Sequence, residues 1–197
     1  MGRNGTSKSI DRAQEICLAA AQIFVSKGYN ATSLNDVADA LDITKAGLYY
    51  YVESKQDLLY RIINLGLDSV LTEVLNPPRE IADAEERLRF IIYNHARLTA
   101  GGNHAVVIIS HEVNELSFHQ REETLKRRRE YFDFIRNTLV ELKIEGKLQE
   151  IDLTTATFTI LGMIIWLSRW FSPNGKMSLE QVCEDVCEMA LRGVMRR

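Results

Sequence analysis

Apolar positions recur along this chain at spacings of three and four, and almost nowhere at a spacing of two. From Ser9 onward Ala13, Ile16, Cys17, Ala20 and Phe24 draw one stripe, as the buried face of an α-helix does. Gly28 follows Lys27 where that stripe ends. Behind Ser33, a residue type that caps helix starts, Leu34, Val37, Ala38 and Leu41 form a second stripe. After the turn residues Asp42 and Ile43, Thr44 caps a short helix running to about Tyr51. Ser54 caps a long helix to about Leu75, stopped by Asn76-Pro77-Pro78. The pattern then predicts helices at about 80–99, 103–115, 117–145, 152–171 and 179–195, separated by Gly101-Gly102, Gly146 and Pro173-Asn174-Gly175. Residues 1–8 read as a flexible arm. The expected fold is all-α with about nine helices and no sheet.

The stretch 33–51 has the physical recipe of a helix-turn-helix. Ala38 is small where two helices must approach, Ile43 plugs the turn, and Leu48 and Val52 face inward. An ordinary helical hairpin would share those core positions. The outward face separates the two readings. Ala46, Tyr49 and Tyr50 lie opposite Leu48 and Val52, with Gly47 at the flank, where a plain surface helix would carry Glu, Lys or Gln. Small residues admit a groove wall, and tyrosine hydroxyls donate to phosphate oxygens. Thr44 and Lys45 stand at the helix start, Lys55 opens the next helix, and the arm adds Arg3, Lys8 and Arg12. The net charge of −3 does not by itself announce a nucleic-acid binder, and Asp36, Asp39 and Asp42 sit close to the reading helix.

Gly28-Tyr29-Asn30-Ala31-Thr32-Ser33, then Val37-Ala38, then Ile43 through Tyr51, then Ser54-Lys55 closely resemble the signature of the TetR family of bacterial regulators over about residues 10–60. Val52 stands where the family usually has Phe. The resemblance implies a DNA-binding domain at 1–53 and a ligand-binding and dimerisation domain at 54–197. It implies that Thr44, Lys45, Ala46, Gly47 and Tyr49 meet base edges or the groove, and that Thr32, Ser33, Tyr50, Tyr51 and Lys55 hold phosphates. The implied partner is a palindromic double-stranded operator, and the implied role is repression relieved by a small-molecule inducer.

A twofold pair of reading heads reaches half-sites about 34–36 Å apart, so a homodimer through the last two helices is expected. Residues 179–195 present Leu179, Val182, Cys183, Val186, Cys187, Ala190 and Val194 on a wide apolar face, and residues 156–171 are apolar nearly all round. Such a helix must be covered on more than one side. Packing inside one protomer would also cover it.

The segment from Trp166 to Gly175 looks like the TetR subgroup that responds to CoA thioesters in sterol or fatty-acid breakdown, which makes Trp166, Arg169 and Trp170 ligand candidates. An acyl chain needs an apolar tunnel, and Phe90, Ile91, Val107, Ile108, Phe132 and Phe158 could line one. An acyl-CoA is thus the expected effector. A planar drug or aromatic metabolite is the alternative, and a helical interaction module without DNA binding is the remote one.

No nucleophile–base pair or metal cluster is apparent, so neither an enzyme nor a resident cofactor is expected. His95, His104, His111 and His119 are scattered, and His111-Glu112 lacks the second histidine of a zinc-protease motif. Glu122 and Glu123 precede Lys126-Arg127-Arg128-Arg129 at i,i+4 spacing, which reads as a salt-linked solvated face. Cys17, Cys183 and Cys187 form no paired framework, which suits a reducing cytoplasm. The polar start lacks a signal-peptide stretch, and no apolar run is long enough for a membrane span.

Overall fold

The computed structural model describes residues 3–196, with side chains from Arg12 onward. Nine α-helices occur among them: α1 (Arg3–Lys27), α2 (Leu34–Ala40), α3 (Lys45–Tyr49), α4 (Lys55–Val70), α5 (Ala84–Ala100), α6 (His104–His111), α7 (Phe118–Ile144), α8 (Leu153–Trp170) and α9 (Leu179–Val194). No strand forms among the described residues; a lone antiparallel bridge joins Leu148 and Met195. The all-α expectation holds.

Helix starts fall on side chains that accept from otherwise unpaired N–H groups. Ser33, Thr44, Ser54, Asp83, Asp152 and Ser178 each accept from a backbone amide in the first turn. Gly28, at φ +88°, ends α1 in the left-handed region. One difference concerns the arm: α1 already begins at Arg3 rather than near Ser9. Once a helix is nucleated, each added residue contributes one hydrogen bond, so it continues past its apolar stripe. Met1 and Gly2 lie outside the described residues. A second difference lies at the end of α4, where Leu71–Leu75 widen to a π-helical turn and Pro77–Glu80 tighten to a 3₁₀ turn. Pro77 and Pro78 offer no N–H to continue the helix.

The chain forms two compact units. One comprises the residues up to Gly66 together with His104–Thr124. Its core gathers Ile16, Ala20 and Phe24 of α1, Val37 and Ala38 of α2, Leu48 of α3, Leu58, Leu59, Ile62 and Ile63 of α4, and Ile108 of α6. Burying each Leu or Ile is worth about 2 kcal/mol. Helix α6 packs on α1, and α1 on α2. Gly66 lets α4 and α6 touch, since a Cβ there would stand 2.5 Å from the Ala105 carbonyl oxygen.

The other unit comprises Leu67–Asn103 and the chain from Leu125 onward. Helix α5 is its centre, with α8 and α9 packed against it and against each other. Leu88, Ile91, Ile92, Ile160, Ile164, Leu167, Val182 and Cys187 form the core. The chain passes between the two units within α4, just before α6, and within α7.

Candidate nucleic-acid interface and sensor region

Thr44 closes the start of α3 by accepting from the Gly47 amide at 3.0 Å. A Cβ on Gly47 would meet that same oxygen at 3.2 Å, so glycine keeps the cap uncrowded. Leu48 and Val52 point into the core. Their inward anchoring turns Thr44, Lys45, Ala46, Tyr49 and Tyr50 to solvent, with Tyr50 79% exposed. Gly47 and Tyr51 are half-buried, and the Tyr51 ring meets Tyr50 edge-on at 5.1 Å. The Lys45 ammonium stands 5.9 Å from the Tyr49 ring centroid, and that of Lys55 lies 4.1 Å from the Tyr29 ring centroid. Two cations are thus steadied by aromatic faces.

The start of α2 is a capping box. Ser33 accepts from the Asp36 amide, and the Asp36 carboxylate accepts from the Ser33 amide and hydroxyl. These bonds from Ser33, with Lys27 at 3.4 Å, hold the Asp36 carboxyl down at about 2. The Asp36 carboxylate, one of three acids near α3, is thus engaged with Ser33 and Lys27. Thr32 differs from its neighbours in exposure. Its side chain is buried, and its hydroxyl donates to the Gly28 carbonyl at 2.8 Å, so that group is not presented to a phosphate.

Of the nine sensor candidates, Val107 and Ile108 belong to the unit that holds α1 to α3, and the other seven belong to the unit built on α5. Phe132 and Phe158 are in ring contact at 4.7 Å. Phe158, Trp166 and Trp170 are 61%, 64% and 52% exposed, and Arg169 is exposed beside them. With Gly162 they follow a spacing of four along the outer face of α8, opposite Ile160, Ile164 and Leu167. Phe90 lines an open cleft of about 320 Å³ with Ile81, Arg89, Tyr93, Asn94 and Glu184. Val107 is half-buried on α6 in the other unit.

The apolar stripe of α9 is also differently used than expected. Val182, Cys183, Val186, Cys187, Ala190 and Val194 are buried within the protomer, where α9 packs on α5. Periodicity marked the face correctly but not the neighbour that covers it. What stays exposed on the last two helices is Phe158, Trp166 and Trp170 of α8 and Met189 of α9.

Sequence reasoning missed a polar cluster between α5 and α7. The Tyr131 hydroxyl is 2.8 Å from His95 Nδ1, and Thr99 lies one turn beyond His95. Burial lowers the His95 pKa to about 4 and raises that of Tyr131. The available signal was His95 and Thr99 at i,i+4 on the same face as Leu88, Ile91 and Ile92. The basic run departs from its expectation too. Arg127 pairs with Asp68, while Arg128 is half-buried with its pKa lowered by desolvation. Among the described residues no group of three or more His, Cys, Asp or Glu side chains could hold a metal ion, and no helix is long and apolar enough to cross a membrane.

The family model described as bacterial regulatory proteins, tetR family, matches residues 16–62, and that described as tetracyclin repressor-like, C-terminal domain, matches residues 82–194. The chain is 25% identical over 192 residues to the HTH-type transcriptional repressor KstR2 of Rhodococcus jostii (strain RHA1), covering 96% of this chain and 94% of that protein. It is 21% identical over 182 residues to the fatty acid metabolism regulator protein of Bacillus subtilis (strain 168), covering 91% and 94% respectively. The crystal structure of AibR in complex with isovaleryl coenzyme A and operator DNA matches with a TM-score of 0.85 and 33% identity, over 90% of this chain and 97% of that one. With most of its length matched by these two models, the chain belongs to the tetR family of bacterial regulatory proteins.

Proposed function

We propose that this regulator is a cytoplasmic repressor that grips a palindromic operator as a homodimer and releases it when an acyl-CoA thioester binds. The observation that carries the DNA-binding part is the face of α3: Lys45, Ala46, Tyr49 and Tyr50 exposed together behind a Thr44 cap, with Leu48 anchored below. In this reading Thr44, Lys45, Ala46, Gly47 and Tyr49 enter the major groove. Ser33, Tyr50, Tyr51 and Lys55 hold the flanking phosphates. Residues 1–53 act as the reading head and 54–197 as the sensing and dimerising part.

Support for the effector class comes from AibR, which is described with isovaleryl coenzyme A and operator DNA and matches this chain over nearly its whole length. Support for the dimer comes from α8 and α9. Exposed Phe158, Trp166, Trp170 and Met189 make an apolar surface that water covers poorly. Gly162 and Gly193, where an added Cβ would meet nothing, leave room for a second copy to approach. Arg169 stands at the end of that face.

Ligand binding acts on the reading head through the chain itself. Helix α6 belongs to the unit that holds α1 to α3, yet it follows α5 after only Gly101, Gly102 and Asn103. Helix α4 likewise runs from one unit into the other. A shift of α5 on ligand entry therefore pulls on α6, and through it on α1. Switching from 1:99 to 99:1 takes about 5.5 kcal/mol of differential ligand affinity. Buried acyl carbons contribute about 0.8 kcal/mol per methylene to that sum.

The test is fluorescence anisotropy of labelled operator titrated with the dimer, then with acyl-CoAs of graded length. Release by one class of chain length is expected. Undiminished DNA binding at every length would remove the CoA assignment while leaving the DNA-binding assignment standing.

A further inference from the structure

Among the described residues five threonines are buried: Thr32, Thr99, Thr124, Thr138 and Thr157. Four of them donate to the carbonyl four residues back, at 2.7–3.1 Å. Thr99 does not. Its hydroxyl, in a residue 4% exposed, has no hydrogen-bond partner. A buried hydroxyl left unpaired is costly, and the usual remedy lies within its own helix. Its neighbours show what it is set against. His95, one turn back on α5, is 5% exposed and bonded to Tyr131 of α7. The Tyr131 hydroxyl and His95 Nδ1 share this hydrogen bond, and desolvation keeps the His95 ring neutral near pH 7.

The register of the two helices brings in a cation. Arg87 of α5 pairs with Glu141 of α7 at 2.8 Å, and His95 pairs with Tyr131. The helices are therefore antiparallel, with paired positions summing to about the same number, and Thr99 falls opposite the turn that carries Arg128. Arg128 is half-buried and forms no ion pair among the described residues. The cluster thus offers donors and one positive charge, and lacks the acceptor they would meet.

Resting on the acyl-ligand reading above, we propose that Thr99, His95, Tyr131 and Arg128 form the polar end of the effector site and receive an acyl oxygen. That oxygen is either the carbonyl of a thioester or the carboxylate of a free acid. Thr99 and Arg128 donate to it directly, and Tyr131 fixes the orientation of the His95 ring. The apolar chain then extends from this polar end between the same helices.

The experiment is operator release followed by anisotropy, using isovaleryl-, octanoyl- and palmitoyl-CoA in one series and the matching free acids in the other. For whichever compound releases the wild type, Thr99→Val is expected to raise the half-releasing concentration about tenfold, the loss of one buried hydrogen bond. Operator affinity without ligand should stay within about twofold, because this residue does not touch DNA. The melting temperature of the ligand-free variant should not fall, since the substitution removes an unpaired group. Thr99→Ser, which keeps the hydroxyl, should respond as the wild type does. Arg128→Gln distinguishes the sources: a loss greater for the acids marks a carboxylate, and an equal or smaller loss marks a thioester carbonyl. Unchanged half-releasing concentrations in both Thr99→Val and Tyr131→Phe would overturn the assignment while the wild-type response upholds the acyl reading. A wild type released by neither series would overturn both.

Discussion

A β-carbon on Gly66 would lie 2.5 Å from the carbonyl oxygen of Ala105, so α4 and α6 meet at backbone distance. The contact is tighter than any side chain allows, and both atoms belong to rigid helices. Gly66→Ala is therefore expected to destabilise the protein by about 1–3 kcal/mol through overpacking. Urea denaturation reads this as a lower midpoint at unchanged slope. Because α6 also packs on α1, operator affinity should fall beyond what the folded fraction explains. Stability and affinity equal to wild type would show that the two helices separate freely.

Acid stability tests the buried histidine. His95 is held near 4, below its ordinary 6.5, by desolvation. The unfolded chain therefore takes up a proton that the folded one refuses. Stability is whole above about pH 6.5 and falls as the pH drops towards 4, by a few kcal/mol at most. His95→Leu should flatten that part of the curve, whereas loss at Asp36 belongs below its ordinary carboxylate range. Urea midpoints measured from pH 4 to pH 8 compare the two; parallel curves for wild type and variant would contradict the assignment.

The exposed face of α8 should decide the oligomeric state. Trp166→Glu and Phe158→Glu each place a charge in an apolar surface, and the double variant is expected to sediment as a monomer. Its far-ultraviolet spectrum should remain helical, because neither side chain is in the protomer core. Operator affinity should drop by at least about a hundredfold, since the second half-site is lost. A dimer persisting through both substitutions would move the interface elsewhere.

The cysteines should be silent. Burial raises the thiols of Cys17, Cys183 and Cys187 to about 11, far from the thiolate form at neutral pH. Iodoacetamide at pH 7.5 is expected to leave the native protein unmodified by mass spectrometry. Operator binding should be indifferent to reductant. Rapid labelling of Cys183 or Cys187 would instead indicate that α9 opens from α5.

The reading head was legible in the sequence because its signals are local. Ser33, Thr44 and Ser54 cap their own helices, and Leu34, Val37, Ala38 and Leu48 declare one buried face within fifteen residues. The sensor half was legible only as helices. A stripe such as Val182, Cys183, Val186 and Cys187 says which side is buried, but its partner α5 lies some ninety residues earlier. The same limit hid the pair His95 and Tyr131, thirty-six positions apart and joined only by tertiary packing. On α8 the aromatic residues mark a face left largely exposed by the described residues of the protomer, which their apolar character alone would not suggest.

In the proposed regulator two copies of α3 read one duplex. Selection from random double-stranded DNA tests it most directly, with bound sequences recovered from the wild type and from a Lys45→Ala, Tyr50→Phe double variant. The wild type is expected to enrich a palindrome whose half-site centres lie about one helical turn, or a multiple of it, apart. The double variant should bind that palindrome at least about tenfold more weakly. A wild type that enriches no symmetric sequence, or a variant that binds it equally well, would rule out operator reading by paired α3 helices.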